Sequence, residues 1–281
     1  MKTMKLKVTL IFTLTVFVLL FTACTDNETT EPVSEEQALN EVVQSSEIDQ
    51  ISTSLEDFII EMYEDQESAE SKSLDRFKLS YPNCGTVTLV VEQNFRELTI
   101  DFAEGGCVIR GHLYEGQVVL TYERNPIAQQ VLLSYVLNDF YFDNKHVIGS
   151  NSILRELSND NGNPQFTHTV DLTVVWPNGL QASREGQIVR EWIDGFASGI
   201  FTDNVFEITG YWNATFISGS THTYEIVLPL RHEVACYHFV SGSIYMERTF
   251  FGGTLDYGDG TCDNLATFTL TDGTMFDIIL N

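Results

Sequence analysis

Basic residues are scarce. The 281-residue chain has 15 Lys and Arg against 40 Asp and Glu, a formal net charge of −25. So acidic a chain is repelled by nucleic acid and by anionic membrane surfaces, which excludes both as partners. The five cysteines include no CxxC pair, which removes the usual zinc-ribbon and thioredoxin signatures. His232-Glu233 has no second histidine to complete a HExxH helix. No glycine-rich phosphate loop and no serine or cysteine nucleophile motif is present. The sequence therefore argues against an enzyme. Pairs of carboxylates for glycoside hydrolysis leave a secreted hydrolase as one alternative.

Long apolar runs are also absent, with one exception. Lys2, Lys5 and Lys7 precede an uncharged, mostly apolar stretch from Val8 to Ala23. It is shorter than the roughly 20 residues a spanning helix needs. The order of charge, apolar run and small residue is that of a secretory signal over residues 1–23. Its end, Phe21-Thr22-Ala23-Cys24, resembles the lipobox of bacterial lipoproteins, which usually has Leu where Phe21 stands. The resemblance implies cleavage before Cys24, a diacylglycerol on its thiol and a membrane anchor made of several acyl chains, each worth about 0.8 kcal/mol per buried methylene. Without the three signal lysines the mature charge is −25 minus 3, or −28.

Residues 24–34 form a polar, acidic tether with too little apolar surface to fold. Acids just behind a lipidated cysteine resemble the surface-export signal of outer-membrane lipoproteins in Bacteroidota. An ordinary solvated spacer reads the same way, so the membrane face stays open.

From Glu35 to about Glu67 apolar residues recur at steps of mostly three and four, from Leu39 through Ile48, Leu55, Phe58 and Met62 to Tyr63. The pattern predicts an amphipathic helix within a segment 35–75, opened by a Ser34/Gln37 capping box and broken near Ser45-Ser46. Its other face is acidic. The helix either packs on the following domain, holds it off the membrane, or offers a partner surface.

Residues 76–281 carry strand signals. Runs such as Thr86–Glu92, Arg96–Phe102, Gln117–Tyr122, Thr169–Trp176, Gln187–Trp192 and Ser243–Arg248 are separated by turn residues such as Asn161-Gly162, Asn178-Gly179 and Asp272-Gly273. Only Pro126–Asn138 reads equally as helix or strand. The expected fold is all-β, an antiparallel meander forming a sandwich or a partly open barrel.

Once Cys24 is used, Cys84, Cys107, Cys236 and Cys262 remain, an even set that suggests two disulfides in an exported chain. The chain echoes itself around them: Asp101-Phe-Ala-Glu-Gly-Gly-Cys107 matches Asp256-Tyr-Gly-Asp-Gly-Thr-Cys262. The echo favours the pairs 84–107 and 236–262. A meander that returns Cys107 to the end where Cys84 began favours the same pairing. A weaker echo relates Phe142-Asp143-Asn144 before Gly149 to Thr202-Asp203-Asn204 before Gly210.

The segment Leu255–Asn264 resembles the ending of envelope lipoproteins from Bacteroidota such as flavobacteria, a group from which no activity carries over. Its Asp256, Asp259 and Asp263 are the weak candidates for calcium, although the same residues serve tight turns for backbone reasons. No other cofactor is expected. His232 and His238, if one extended strand carried both, would lie about 20 Å apart, too far to share a metal. Trp176, Trp192, Tyr211 and Trp212 would stack on sugars or proteins if exposed, and fill the core otherwise. The leading reading is a lipid-anchored envelope protein, a non-enzymatic binding module for a glycan or protein. A structural or assembly lipoprotein of the periplasm is the main alternative.

Overall fold

The computed structural model describes residues 35–71, 84–102, 104–125, 129–248 and 251–280. The signal, Cys24, the acidic tether and Ser34 of the expected capping box lie outside these residues.

One helix, α1 (Glu35–Ser71), runs for 37 residues without a Gly or Pro. The serine pair does not divide it. Ser46 Oγ donates to the Val43 carbonyl at 2.8 Å, satisfying the hydroxyl inside the helix instead of opening the backbone. From Glu41 to Tyr63 no residue of α1 is exposed. The helix is therefore not a half-wet surface helix but the core element of the β domain, and residues 34–281 form one compact unit.

Fourteen strands follow: β1 (Thr86–Glu92), β2 (Phe95–Asp101), β3 (Cys107–Ile109), β4 (His112–Glu123), β5 (Gln130–Phe142), β6 (Lys145–Glu156), β7 (Gln165–Val175), β8 (Gln181–Asp194), β9 (Val205–Phe216), β10 (Thr221–Glu233), β11 (Ser241–Arg248), β12 (Phe251–Asp259), β13 (Leu265–Leu270) and β14 (Met275–Ile279). They make a single open antiparallel sheet in chain order, with β3 set aside as a short partner of β4. The meander is as the turns predict, in one sheet rather than a two-sheet sandwich. The ambiguous segment after Pro126 is strand β5.

Side chains alternate along the strands, and the buried set faces α1. In β7, Phe166, His168, Val170, Leu172 and Val174 are buried while their neighbours are not. Ring contacts join Phe58 to Phe102 and Tyr114, and Tyr63 to Tyr122. Polar partners of α1 come from β4, β6, β7, β8, β10 and β11, so the sheet curves about the helix. Glycine permits this curvature. Gly210 of β9 has φ +141°, and a Cβ there would stand 2.2 Å from the Gln187 carbonyl oxygen of β8. Gly149 of β6 would meet the Asp171 carbonyl of β7 at 2.3 Å. These are the glycines of the weaker internal echo, and they mark places where neighbouring backbones approach too closely for a side chain.

Candidate ligand cavity

The acidic side of α1 is not solvated. The helix has twelve Asp and Glu residues and no Lys or Arg. At least seven of the nine Lys and Arg among the described residues pair with one of these acids. Arg248 reaches Glu41, Lys145 reaches Glu47, Arg184 reaches Asp49, and Arg190 reaches both Glu56 and Asp57. Arg110, Arg155 and Arg124 pair with Glu61, Glu64 and Glu67. Three buried histidines join in: His222 with Glu41, His168 with Glu56, and His232 with Asp57. A buried charge persists only when it is paired and hydrogen-bonded. The cations of the sheet thus serve its interior, and the outer surface is left strongly acidic.

Pairing is reflected in the acids. Burial by itself would raise Glu56, but His168, Arg190 and Arg184 outweigh it and bring its pKa down to about 2. Burial is likewise outweighed at Asp57, where His232 and Arg190 hold the carboxyl well below the usual range. At Asp49 the desolvation wins against Arg184, and the carboxyl is pushed up to about 6.

Polar groups gather at one place where the inside is not filled. A cavity of about 310 Å³ lies between α1 and the sheet. Asp49, Gln50, Thr53 and Asp57, at helical steps of one to four, form its helix wall. The end of β10 supplies His232, and β12 supplies Tyr257. Arg110 and His112, from the β3–β4 turn and the start of β4, form a third wall. The loop from Val234 to Phe239 closes the fourth, with Ala235 and Tyr237 exposed at the mouth. Besides its backbone hydrogen bonds, that loop is held by a disulfide and a ring contact. Cys236 is bonded to Cys262, and the Tyr237 ring stacks on His112 at 4.3 Å. His112 Nδ1 lies 2.6 Å from Asp143 Oδ2 and 3.1 Å from the Tyr237 hydroxyl. The Arg110 guanidinium sits 4.9 Å from the centre of the Phe201 ring.

Three lining residues carry a buried polar atom without a hydrogen-bond partner: Gln50 Nε2, His232 Nδ1 and the Tyr257 hydroxyl. Such atoms cost about 1–3 kcal/mol each unless something occupies the space beside them. Burial also shifts nearby groups. It raises the Tyr257 hydroxyl far above its ordinary value, and it lowers His238, helped by His112.

Several sequence expectations change here. His232 and His238 are not far apart on one strand. β10 ends at Glu233, the Cys236 N–H closes a turn onto the Glu233 carbonyl, and both histidines line the cavity. Trp212 and Trp192 are buried rather than offered to a partner. Trp212 is stacked on Tyr224 and covered by Arg184 at 4.0 Å, and Trp192 packs on Phe166 and Phe206. Trp176 is partly buried, its Nε1–H donating to Glu47 at 2.7 Å. Of the four aromatics only Tyr211 is exposed.

The calcium candidates do not converge. Asp256 accepts the Gly258 N–H, Asp259 the Thr261 hydroxyl and Asp263 the Leu265 N–H, each closing its own turn. Among the described residues no three metal-ligating side chains group to hold an ion. The cysteines pair as 84–107 and 236–262, with Cα separations of 5.4 and 5.5 Å. Gln50, Asp49, Asp57, His112 and Tyr257 were not legible as site residues, because nothing local distinguishes them from a solvated helix face or a turn.

No family model, no curated protein and no solved structure matches this chain.

Proposed function

We propose that the chain is an exported bacterial lipoprotein, held at the outer membrane by acyl chains on Cys24, and that its β domain is a non-enzymatic binding module. The ligand is taken into the cavity between α1 and the β10–β11 loop. One observation carries this reading: three of the buried side-chain polar atoms without a partner, Gln50 Nε2, His232 Nδ1 and the Tyr257 hydroxyl, belong to residues that line this one cavity. Unpartnered polar groups gathered on the walls of one cavity suit something that arrives later. The acids of the wall favour binding over hydrolysis. Against its burial, Asp57 is held well below the carboxylate range by His232 and Arg190, so of the two only Asp49, raised by burial to about 6 and tied to Arg184, is placed to exchange a proton near neutrality, whereas glycoside hydrolysis needs a pair. The burial of α1 counts against the alternative in which its acidic face recruits a periplasmic partner.

The test is a small-molecule screen by thermal shift on the full chain in detergent, run beside Ala235→Trp, which places an indole in the mouth. A ligand at 100 times its Kd stabilises by about 2.7 kcal/mol. Compounds that stabilise the native chain and not the variant support the proposal. Compounds that stabilise both equally, or none at all, reject it.

A further inference from the structure

The open sheet ends in two strands, β1 and β14, each with a neighbour on one side only among the described residues. A strand so placed offers a row of backbone N–H and C=O groups to any other chain. Natural edges are blunted by charge, proline, a bulge or short length. β14 is short, five residues, and carries Asp277 at its centre. β1 has none of these devices. Its sequence, Thr86-Val-Thr-Leu-Val-Val-Glu92, holds no Lys or Pro, and its seven residues pair with β2 in one unbroken register. The single charge, Glu92, stands at the end.

β1 is also the one described strand without a buried residue. Leu89, Val90 and Val91 are 36, 38 and 54% exposed, and Phe95 at the start of β2 is exposed beside them. Apolar burial is therefore not what holds this strand. It is held by its ladder to β2 and by the Cys84–Cys107 bond just before it begins. A pinned strand with apolar side chains in water presents a fixed apolar edge. Leu89 lies opposite Leu98, and Leu98 opposite Leu120. Directly opposite residues share a face, and Leu98 and Leu120 are fully buried. The inner row of leucines thus runs out to the edge and stops there uncovered.

Symmetry and charge select the occupant. Two copies that meet edge to edge with antiparallel strands are related by a two-fold axis. Full overlap of β1 places that axis at Leu89. Leu89 then faces its own copy, Thr88 faces Val90, Val87 faces Val91 and Thr86 faces Glu92. No charge meets its like, in a chain whose net charge of −25 otherwise keeps copies apart. The same operation on β14 sets Asp277 against Asp277. At β1 the row Leu120, Leu98, Leu89 continues into the same three leucines of the second copy.

We infer that β1 is an association edge at which two copies of this chain pair antiparallel about Leu89, joining two sheets into one. The inference stands apart from the cavity and its ligand.

The experiment uses the full chain in detergent, with micelles in excess over protein so that two anchors do not share one by chance. Sedimentation should show a dimer. Leu89 already lies at the surface, so Leu89→Lys and Leu89→Glu keep the fold, and each sets like charges face to face on the axis, which is destabilising. Each variant alone should be monomeric at concentrations where the native chain is dimeric. Mixed in equal amounts, lysine faces glutamate and a heterodimer should return, which misfolded variants could not form. Mild oxidation should link Leu89→Cys to its own copy and leave Met275→Cys, 66% exposed on the opposite edge, unlinked. A monomeric native chain, a dimer that both charge variants retain, variants that stay monomeric when mixed, or equal linkage through the two cysteines overturns the inference.

Discussion

Arg190 of β8 donates to Glu56 Oε2 at 3.2 Å and also to Asp57 Oδ1, so one fully buried guanidinium joins two consecutive acids of α1 to the sheet. Consecutive helix residues point about 100° apart, and a planar fork of five donors suits that divergence. Arg190→Leu would leave two carboxylates in the core without their shared guanidinium, hydrogen-bonded to His168 and Ser52 at Glu56 and to His232 at Asp57. Breaking a buried pair from one side costs about 3–5 kcal/mol, and urea unfolding of the variant should show that loss. Arg190→Lys should not restore it, because a single ammonium cannot reach both acids in the same geometry. The triple variant Arg190→Leu/Glu56→Gln/Asp57→Asn, with no unpaired charge, should recover part of the loss.

The same cluster fixes the acid limb of stability. Glu56 has its pKa lowered from 4.5 to about 2 in the fold. A depressed carboxyl contributes stability that is present above its unfolded value and is lost as pH falls through the folded one. Stability should therefore fall between about pH 4.5 and 2, with Asp57, also depressed, adding in the same direction. Asp49 acts oppositely. Its pKa is raised from 3.8 to about 6, so its contribution is complete below the lower value and lost as pH rises through the upper. Together they put maximum stability in mildly acid solution. Urea midpoints from pH 2 to 8 check this, and Glu56→Gln should flatten the acid limb by about 1.4 kcal/mol per pH unit where that proton is taken up.

How far the sequence revealed these features depends on the range of the contacts. The extent of α1 was visible because its apolar residues recur locally, and the strands because Asn-Gly and Asp-Gly turns separate alternating runs. The echo around Cys107 and Cys262 gave the disulfides. The pairing of the acidic face of α1 is not legible locally, because its counter-charges, such as Arg184, Arg190, His232 and Arg248, come more than a hundred residues later. β12 was hidden for another reason. Gly252, Gly253 and three acids around Asp256 look like a loop, yet Gly253 is required in the ladder, where a Cβ would meet the Phe268 ring at 2.6 Å. The cavity needs the curved sheet, the turn after Glu233 and the helix at once, and no short window of sequence contains all three.

The two disulfides should separate stability from binding. Cys236 and Cys262 enclose a loop with a sequence separation of 26, and Cys84 and Cys107 one of 23. Loops of this size contribute about 3.5 kcal/mol each in the chain-entropy model, so replacing either pair by serine should cost about the same in urea. Only Cys236 lines the cavity. Its removal frees the loop that carries Tyr237 and His238, so the 236/262 variant should also lose affinity for any cavity ligand, while the 84/107 variant keeps it. Equal affinities in the two would mean that the His112–Tyr237 contact and the backbone hydrogen bonds of the loop hold it without the disulfide. Peptide mapping without reductant should recover both links in the native chain.

Calcium should leave the protein unmoved. Asp256, Asp259 and Asp263 each use an oxygen to close a turn of their own, whereas a calcium site needs six to eight oxygens directed at one point. The melting temperature in millimolar calcium and in chelator should agree, since any tight site would raise it by mass action. Asp259→Asn should be nearly silent for the same reason, as an amide oxygen still accepts from Thr261.

The curvature that makes room for α1 depends on glycine at particular positions, and Gly210 tests this most sharply. Its φ of +141° is already unfavourable for an L residue, and an added Cβ would press on the Gln187 oxygen at 2.2 Å. That oxygen belongs to the backbone of β8 and cannot turn aside as a side chain could. Gly210→Ala therefore forces β8 and β9 apart close to Arg184, Arg190 and Trp212, loosening the cluster that fixes the helix. Gly219, in the β9–β10 turn, is the control. Its φ is also positive, +82°, but nothing lies within 4 Å of a Cβ there. Gly219→Ala should cost only the backbone preference, about 1 kcal/mol, and Gly210→Ala clearly more, of order 3 kcal/mol, as for strain that the surroundings cannot relieve. Equal losses in urea unfolding would show that the sheet can open at Gly210 without disturbing α1, and that its curvature is set elsewhere.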